Sequence, residues 1–489
     1  MSAASGDEVF VGLDLGTSSL KGVVVASSGE VLARAQAGYP TRRSAPGRAE
    51  QDPRQWTRAA AEVVRALTEQ VAAPRWAGLG LSGMIPTLVL TDAGGEPVGP
   101  AITWEDDRAQ MEGDEFRSEH GPDAVYATTG QWVDGRYLVP MFRWIERRML
   151  SEVAHATRLL SAKDFLFAWL TGEAATDPST ATGFGCFDLA TGTWSPDLAG
   201  KTLRLLPEVR PSTAGAPLTG PAASSLSLPT GLPVCLGAAD SIAGAHALGA
   251  NAPGDCAYLW GTSGVIIGVS AHRRADEGHR YLISPLATGD GWALEMDLLS
   301  AGSAFTWVAE LMGAGGDEGA VLRLAEMSRP GSNGVSFLPY LGSGEQGALW
   351  DPELRGTIAG LTLGHARQDV ARALAEGVVL ESRRCLRVLD EAEVRPREIR
   401  ASGGAFTSAF FTSLLADATG RAVVRPTEDG SSVSALGAAL LAAAAVGRDA
   451  RSFEGDGFDR TEPDERAGPR WNALAERHER LLAAVRTFS

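Results

Sequence analysis

Two Gly-Thr-Ser turns and two isolated aspartates carry most of the chemistry legible in this sequence. Asp14-Leu15-Gly16-Thr17-Ser18-Ser19 sets a carboxylate near the end of an apolar run, beside a turn of small hydroxyl-bearing residues. Gly16 lets backbone N–H groups approach an anion, and the hydroxyls add donors. Asp14 has the chemistry to hold a hydrated Mg2+, which prefers carboxylate plus phosphate oxygens. An Asx-type hairpin turn accounts for the same residues equally well. Gly261-Thr262-Ser263-Gly264 repeats the device without the acid. Alone it reads first as a plain turn; paired with the first, it becomes a candidate second phosphate clamp. Asp240 stands among small residues in AADSIAG, after a strand at 233–236, and opens a helix predicted to run through Leu248. A helix cap is the simpler account. The functional account is a general base, kept ionised by the helix dipole and given room by its neighbours. Ser402-Gly403-Gly404-Ala405 precedes a helix predicted from about Thr407, and its glycines permit close approach of a flat ligand or phosphate. A plain strand-to-helix turn explains them as well.

These groups need rigid elements behind them. Val9 to Leu15, Leu20 to Ala26 and Val31 to Ala37 predict three successive strands, the first two joined through the Gly-Thr-Ser turn. Asp52 and Pro53 predict the N-cap and first residue of an amphipathic helix reaching about Val71. Pro207 to Pro233, rich in Pro, Ser, Thr and Gly, predicts a long surface excursion. Cys256 to Trp260 and Val265 to Val269 then repeat the strand–turn–strand pattern, which suggests two domains of one design. Helices are predicted at about Ser303–Gly313, Gln368–Leu389, Thr407–Thr419 and Ser434–Val446.

Composition excludes much else. The chain has 489 residues, too many for one compact core, and a net charge of −16 with no basic stripe, which argues against a nucleic-acid partner. Only Lys21, Lys163 and Lys201 are lysines. None lies in a Walker A loop, and Schiff-base mechanisms have only these candidates. Gly78-Leu79-Gly80-Leu81-Ser82-Gly83 matches G-x-G-x-x-G, but Pro86 and a strand-like run follow where a dinucleotide site requires a helix. Cys186, Cys235, Cys256 and Cys385 form no C-x-x-C pair, and the seven histidines show no metal-ligand spacing. The alanine-rich run 435–447 is shorter than a membrane span and predicts a buried or half-buried helix. No secretory signal is visible, so a cytoplasmic protein without a membrane partner is expected.

Taken in order, these residues resemble the FGGY carbohydrate kinases, within the actin and heat-shock ATPase superfamily. The segments that carry the resemblance are GLDLGTSSLKGVVV (12–25), LSGMIPTLVLTDAGGEPVGPAITWEDDRA (81–109), LSAKDFLFAWLTGEAATDPSTATG (160–183), LGAADSIAGA (236–245), WGTSGV (260–265), FLPYLGSGEQGALWDPELRGTIAGLTLGH (337–365), SGGA (402–405) and SALGAALLAA (434–443). The resemblance implies an α/β fold of two actin-like (ribonuclease H-like) domains, 1–246 and 247–489, with a cleft between them for Mg-ATP and a sugar or polyol. It implies Asp240 as general base and Asp14 as the acid near Mg2+, acting through water. Gly16, Thr17 and Ser18 would sit at the β/γ-phosphates, Gly261 and Thr262 at the second clamp, and Gly403 and Gly404 beside the adenosine. Trp104, Asp106 and Arg108 match a W-x-D-x-R segment that borders the sugar pocket. Trp104 as a core aromatic, and Asp106 pairing with Arg108, stay open beside that role.

Within the family, LTGEAATDPSTATG and WDPELRG are most similar to xylulokinases, which implies a pentulose such as D-xylulose. The substrate loop differs: Ser82-Gly83-Met84-Ile85-Pro86-Thr87 stands where those enzymes have S-G-Q-M-H-G. Ile85 and Pro86 thus replace the Met-His pair at the sugar, and the resemblance implies Asp240 and Ser241 as further substrate-binding residues. Another ketose, a sugar acid or a polyol is the first alternative. A nucleotide-dependent switch without sugar turnover is the alternative from another class. A homodimer stays open.

Overall fold

The computed structural model describes residues 8–149, 154–342, 347–427, 432–448 and 457–487. Two compact units emerge, one formed by 1–247, 283–290 and 432–452, the other by 248–282, 291–431 and 453–489.

The first unit is built on strands β1 (Val9–Leu15), β2 (Ser19–Ala26), β3 (Val31–Gly38), β4 (Trp76–Gly83), β5 (Gly215–Pro217) and β6 (Pro233–Ala239), in the order β3–β2–β1–β4–β6–β5. Every residue of β1 is buried, as expected of a strand covered on both faces. One cover is α1 (Pro53–Gln70), whose apolar stripe of Trp56, Ala59, Ala60, Val63, Val64 and Leu67 follows the helical period. Asp52 caps it by accepting from Arg54 N at 3.0 Å, as predicted. Further on come α2 (Ala162–Thr171) and α3 (Asp240–Ala247).

The second unit uses β7 (Cys256–Trp260), β8 (Gly264–Ser270), β9 (Trp292–Leu298), β10 (Glu398–Gly403), β11 (Ala422–Pro426) and β12 (Phe458–Thr461). Within its sheet these run β9–β8–β7–β10–β11–β12. Its helices include α4 (Gly302–Leu311), α5 (Glu318–Glu326), α6 (Arg367–Glu391), α7 (Ala409–Thr419) and α9 (Gly468–Val485).

The helix between α7 and α9 in the chain, α8 (Val433–Ala445), belongs to the first unit. Small residues explain how it gets there. A Cβ on Gly12 would fall 1.7 Å from the Ala435 carbonyl oxygen, and one on Gly80 would fall 2.0 Å from that of Ala438. The helix backbone therefore rests directly on β1 and β4. Gly437 makes the same approach to α3, at the carbonyl oxygen of Ala243. Chain order and spatial membership thus part company at α8. Its Ala435–Ala443 stretch is buried, as the alanine run predicts.

One expectation is met in part. The stretch 207–233 runs along the surface as predicted, but it is no plain loop: it contains the edge strand β5 and a helix, Gly220–Leu226. Leu218, Ala222, Ala223, Leu226, Leu228 and Leu232 enter the main core of the first unit. Its polar composition concealed apolar residues spaced to cover one end of the sheet. The G-x-G-x-x-G match lies inside β4 and opens no helix, as its context predicted.

Candidate functional site

Register explains how the first unit gathers its chemistry. β1, β4 and β6 are adjacent and parallel, with Leu15 paired to Gly83 and Gly83 to Ala239. Gly16, Met84 and Asp240 are therefore each the first residue beyond the same row, at the carboxyl ends of three neighbouring strands. Open α/β sheets bind ligands at such an edge. Asp240 follows the strand two places from β1, so its backbone lies ~10 Å from the Gly-Thr-Ser turn, from the ordinary spacing of strands.

The turn itself is held firmly. Gly16 N donates to Ser19 O at 3.1 Å, the Tyr39 hydroxyl donates to Gly16 O, and Gln51 Nε2 donates to Thr17 O at 2.7 Å. The N–H groups of Thr17 and Ser18 have no acceptor among the described residues, so they are free for an anion. Asp14 is buried and accepts from Ser82 Oγ at 2.8 Å. Burial pushes its carboxyl above the ordinary value, opposed by that hydrogen bond and by the charge of Lys21. A nearby cation would favour its ionised form.

The second unit repeats the arrangement. Gly261 N donates to Ser263 O at 2.9 Å, and the N–H groups of Thr262 and Ser263 have no acceptor among the described residues. Trp260 pairs in register with Gly403. Gly403 has φ +116°, and a Cβ there would fall 2.0 Å from Trp260 O. Only glycine fits. Gly404, exposed, opens a short turn leading to α7. Glu318 lies close by. Its carboxylate accepts from Trp260 Nε1 at 3.4 Å and Thr306 Oγ1 at 3.3 Å, and burial raises its pKa.

The remaining sequence-predicted residues fall in the first unit. Ile85 and Pro86, half-buried and joined by a cis peptide bond, follow β4 directly. Trp104 is half-buried and donates from Nε1 to Thr17 Oγ1 at 3.0 Å, which ties the 104–108 segment to the first turn. Asp106 is 1% exposed, and four donors converge on its oxygens: Ala49 N and, from Arg108, the backbone N, Nε and Nη2. Pairing with Arg108 is the arrangement present. Ser241 N lies 2.9 Å from Asp240 Oδ1.

Sequence reasoning passed over the anchor behind Asp240. Lys163 is fully buried, with Nζ 2.9 Å from Asp164 Oδ1 and 3.2 Å from Asp177 Oδ1. Burial works against its charge, but the two carboxylates hold its pKa above the ordinary range. Asp177 Oδ2 accepts from Ser179 Oγ at 2.5 Å and from Ser212 Oγ at 3.1 Å. Ser179 Oγ in turn accepts from the N–H of Ala239 at 3.0 Å. The pairing of β6 with β4 shifts register between Cys235 and Ala238. Ser179 and the Ser212 carbonyl, which accepts from Gly237 N at 2.9 Å, thus hold the irregular strand end that presents Asp240. The signal was present in AKD at 162–164 and TDPS at 176–179.

The four cysteines are free and buried. Among the described residues no helix is long and apolar enough to cross a membrane, and no group of three or more His, Cys, Asp or Glu forms a metal cage.

Residues 9–247 match the N-terminal domain, and residues 256–446 the C-terminal domain, of the FGGY family of carbohydrate kinases. The xylulose kinase of Escherichia coli (strain K12) is 30% identical over 438 residues, covering 89% of each chain. The gluconokinase of Bacillus subtilis (strain 168) is 27% identical over 90% of this chain and 88% of its own. Among solved structures, the xylulose kinase from Rhodospirillum rubrum superposes with a TM-score of 0.87 at 32% identity, covering 98% of this chain and 99% of that one.

Proposed function

The chain belongs to the FGGY family of carbohydrate kinases, and on that premise we propose that it transfers the γ-phosphoryl of Mg-ATP to a hydroxyl of a pentulose such as D-xylulose. Sugar phosphotransfer and use of ATP come with the family. The pentulose is supported by the xylulose kinases among its relatives. The observation that supports the assignment of roles is the shared row Leu15–Gly83–Ala239, with a turn of free N–H groups and an aspartate just beyond it on strands two places apart.

Phosphoryl transfer asks a protein for positioning and charge stabilisation. The free N–H groups of Thr17 and Ser18 in one unit, and of Thr262 and Ser263 in the other, donate to phosphate oxygens. Asp240, at the first turn of α3, accepts the proton of the attacking hydroxyl, and the helix dipole favours its ionised form. Trp104 keeps the Thr17 hydroxyl in place, and Asp106 acts through Arg108 to position the segment carrying Trp104. Ile85 and Pro86 offer the sugar an apolar contact. Gly403 and Gly404 leave room beside them for the adenosine.

A single buried carboxylate next to free N–H groups fits Mg2+ that arrives with the nucleotide and draws its other ligands from phosphate and water. Bound there, the ion would neutralise charge on the phosphates, and Asp14 would hold it through water. The reaction takes place in the cytoplasm, where the buried thiols stay reduced.

A second reading keeps the chemistry and changes the acceptor to another ketose, a sugar acid or a polyol. Ile85 and Pro86 favour it, because neither side chain donates a hydrogen bond to a sugar, and a gluconokinase lies among the relatives. ADP release with Mg-ATP across ketoses, aldoses, polyols and sugar acids separates the two. Strong turnover of D-xylulose supports the first. Preference for gluconate or glycerol with little D-xylulose turnover replaces it by the second.

A further inference from the structure

The second unit has a cavity of about 310 Å3 between the C-terminal half of α6, the end of α7 and the start of α9, lined by no residue of its Gly-Thr-Ser turn. That volume is within the range of small-molecule sites. Arg383, Arg387 and Arg421 line it together with Asp390 and Asp417.

The charges do not cancel locally. Asp390 is committed to Arg421, whose Nη2 donates to its oxygens at 2.6 and 2.7 Å. Asp417 accepts from Asp464 N at 2.8 Å and lies 3.6 Å from Arg470 Nη2. Arg383 and Arg387, one helical turn apart on α6, face each other's positive charge. Arg383 has Asn472 Oδ1 at 2.6 Å from Nη2, and Arg387 reaches Glu479 only at 3.8 Å. Burial, then the charge of Arg387, lowers the pKa of Arg383.

Two donors are also left over. Arg383 Nη1 and Trp471 Nε1 are buried without a hydrogen-bond partner, and Trp471 is 1% exposed. Leaving a buried donor without an acceptor is unfavourable. Such groups call for a ligand that accepts hydrogen bonds and brings negative charge. The first turn of α9 adds its positive end, with no side-chain cap. At the opposite wall, the last-turn carbonyls of α7 are engaged by Thr419 Oγ1 and Gly420 N.

We propose that this cavity binds a phosphate monoester of a small polyol. The phosphate meets Arg383, Arg387 and the Trp471 indole, and the polyol hydroxyls donate to the second lone pairs that Arg421 and Asp464 leave on the oxygens of Asp390 and Asp417. Arginine suits this task because its planar fork matches phosphate oxygens. The site is separate from the residues assigned to phosphoryl transfer.

Isothermal titration of the full chain with glycerol 3-phosphate, in saturating Mg-ADP, tests the assignment. The expected result is saturable uptake at one site per chain, retained in D240A. It weakens tenfold or more in both R383Q and R387Q, and about threefold in W471F. Sugar-stimulated ADP release without added phosphate ester stays at the wild-type rate in R387Q, whose exposed side chain is not needed for folding. Binding that disappears in D240A, binding unchanged in R387Q and W471F, or no saturable binding would each overturn the proposal. Because the readout is binding to the second unit, it stands or falls independently of which sugar the enzyme phosphorylates.

Discussion

Six strands of one sheet repeat the order of six strands of the other, and the chemistry of the two differs at one row. Each runs antiparallel, antiparallel, parallel, parallel, antiparallel across six strands. Each joins its central hairpin through a three-residue Gly-Thr-Ser turn with two free N–H groups. Each sets Ser-Gly on the neighbouring parallel strand at the same register, Ser82-Gly83 in one and Ser402-Gly403 in the other. Beside Ser82 stands Asp14; beside Ser402 stands Leu259. Beyond Gly83 comes the Ile85–Pro86 loop; beyond Gly403 come Gly404 and a helix. The second hairpin is backed instead by aromatic rings, with Trp260 packed edge-on against Phe305, Phe406 and Phe411. A repeated backbone thus supplies turns with free N–H groups to both units, while the carboxylates proposed to serve the proton and the cation, Asp240 and Asp14, are placed in only one.

The largest effect should come from the residue that has no counterpart in the second unit. Asp240→Ala is expected to lower sugar-dependent turnover by a factor of roughly 10²–10⁴, the usual contribution of a general base, with ATP binding retained. Steady-state rates beside nucleotide titration check it. Substantial residual turnover would remove Asp240 from that role and make the two units more alike than supposed.

Next is the paired glycine. Gly403→Ala puts a Cβ 2.0 Å from Trp260 O at a backbone conformation that disfavours side chains, so a loss of about 3 kcal/mol or more is expected. At the matching position, a Cβ on Gly83 would meet Lys163 Cβ at 3.0 Å without a positive φ. Gly83→Ala should therefore cost distinctly less in a denaturant melt. Equal losses would mean that the two strand ends are constrained alike.

A smaller effect is expected from Ser179→Ala. It leaves the Ala239 N–H without its acceptor, at a cost of about 1–3 kcal/mol, and loosens the strand end presenting Asp240. Turnover should drop about tenfold with little change in KM for ATP, and Ser179→Thr should restore most of it. A loss of stability with unchanged turnover would make Ser179 structural only.

The smallest effect concerns a buried carboxylate of α6. Glu381 is buried, which works against its charge, but Arg384 and His478 hold its carboxyl well below the ordinary value of 4.5. A depressed folded-state pKa gives stability that is complete above the unfolded value and lost as pH falls below it. The melting temperature should therefore decline on acidification below about pH 4.5, with a shallower slope in Glu381→Gln. Identical slopes would discharge Glu381 from any part in acid sensitivity.

What was legible in the chain was local. Hairpins, the Asp52 cap and the Gly-Thr-Ser turns announce themselves because the backbone conformations they need restrict the residue types. Asp240 was legible for the same reason, as an acid between a strand and a helix. Partnerships across the sequence were not. Ser82 bonds Asp14 from 68 residues away, and Ser179 reaches Ala239 from 60. The turn-forming composition of 207–233 hid an edge strand and a helix with one buried face, because burial there is decided by the sheet it meets.

The seat of α8 on β1 and β4 has a consequence for the order of synthesis. The first unit's sheet is complete at Ala239, yet the helix that covers it comes roughly 190 residues later. At ordinary elongation rates of 5–20 residues per second, that is a delay of ~10–40 s. During this interval β1 and β4 lack the cover that Gly12 and Gly80 are shaped to receive. A nascent chain in that state presents an apolar surface to its surroundings until the ribosome delivers residues 433–445.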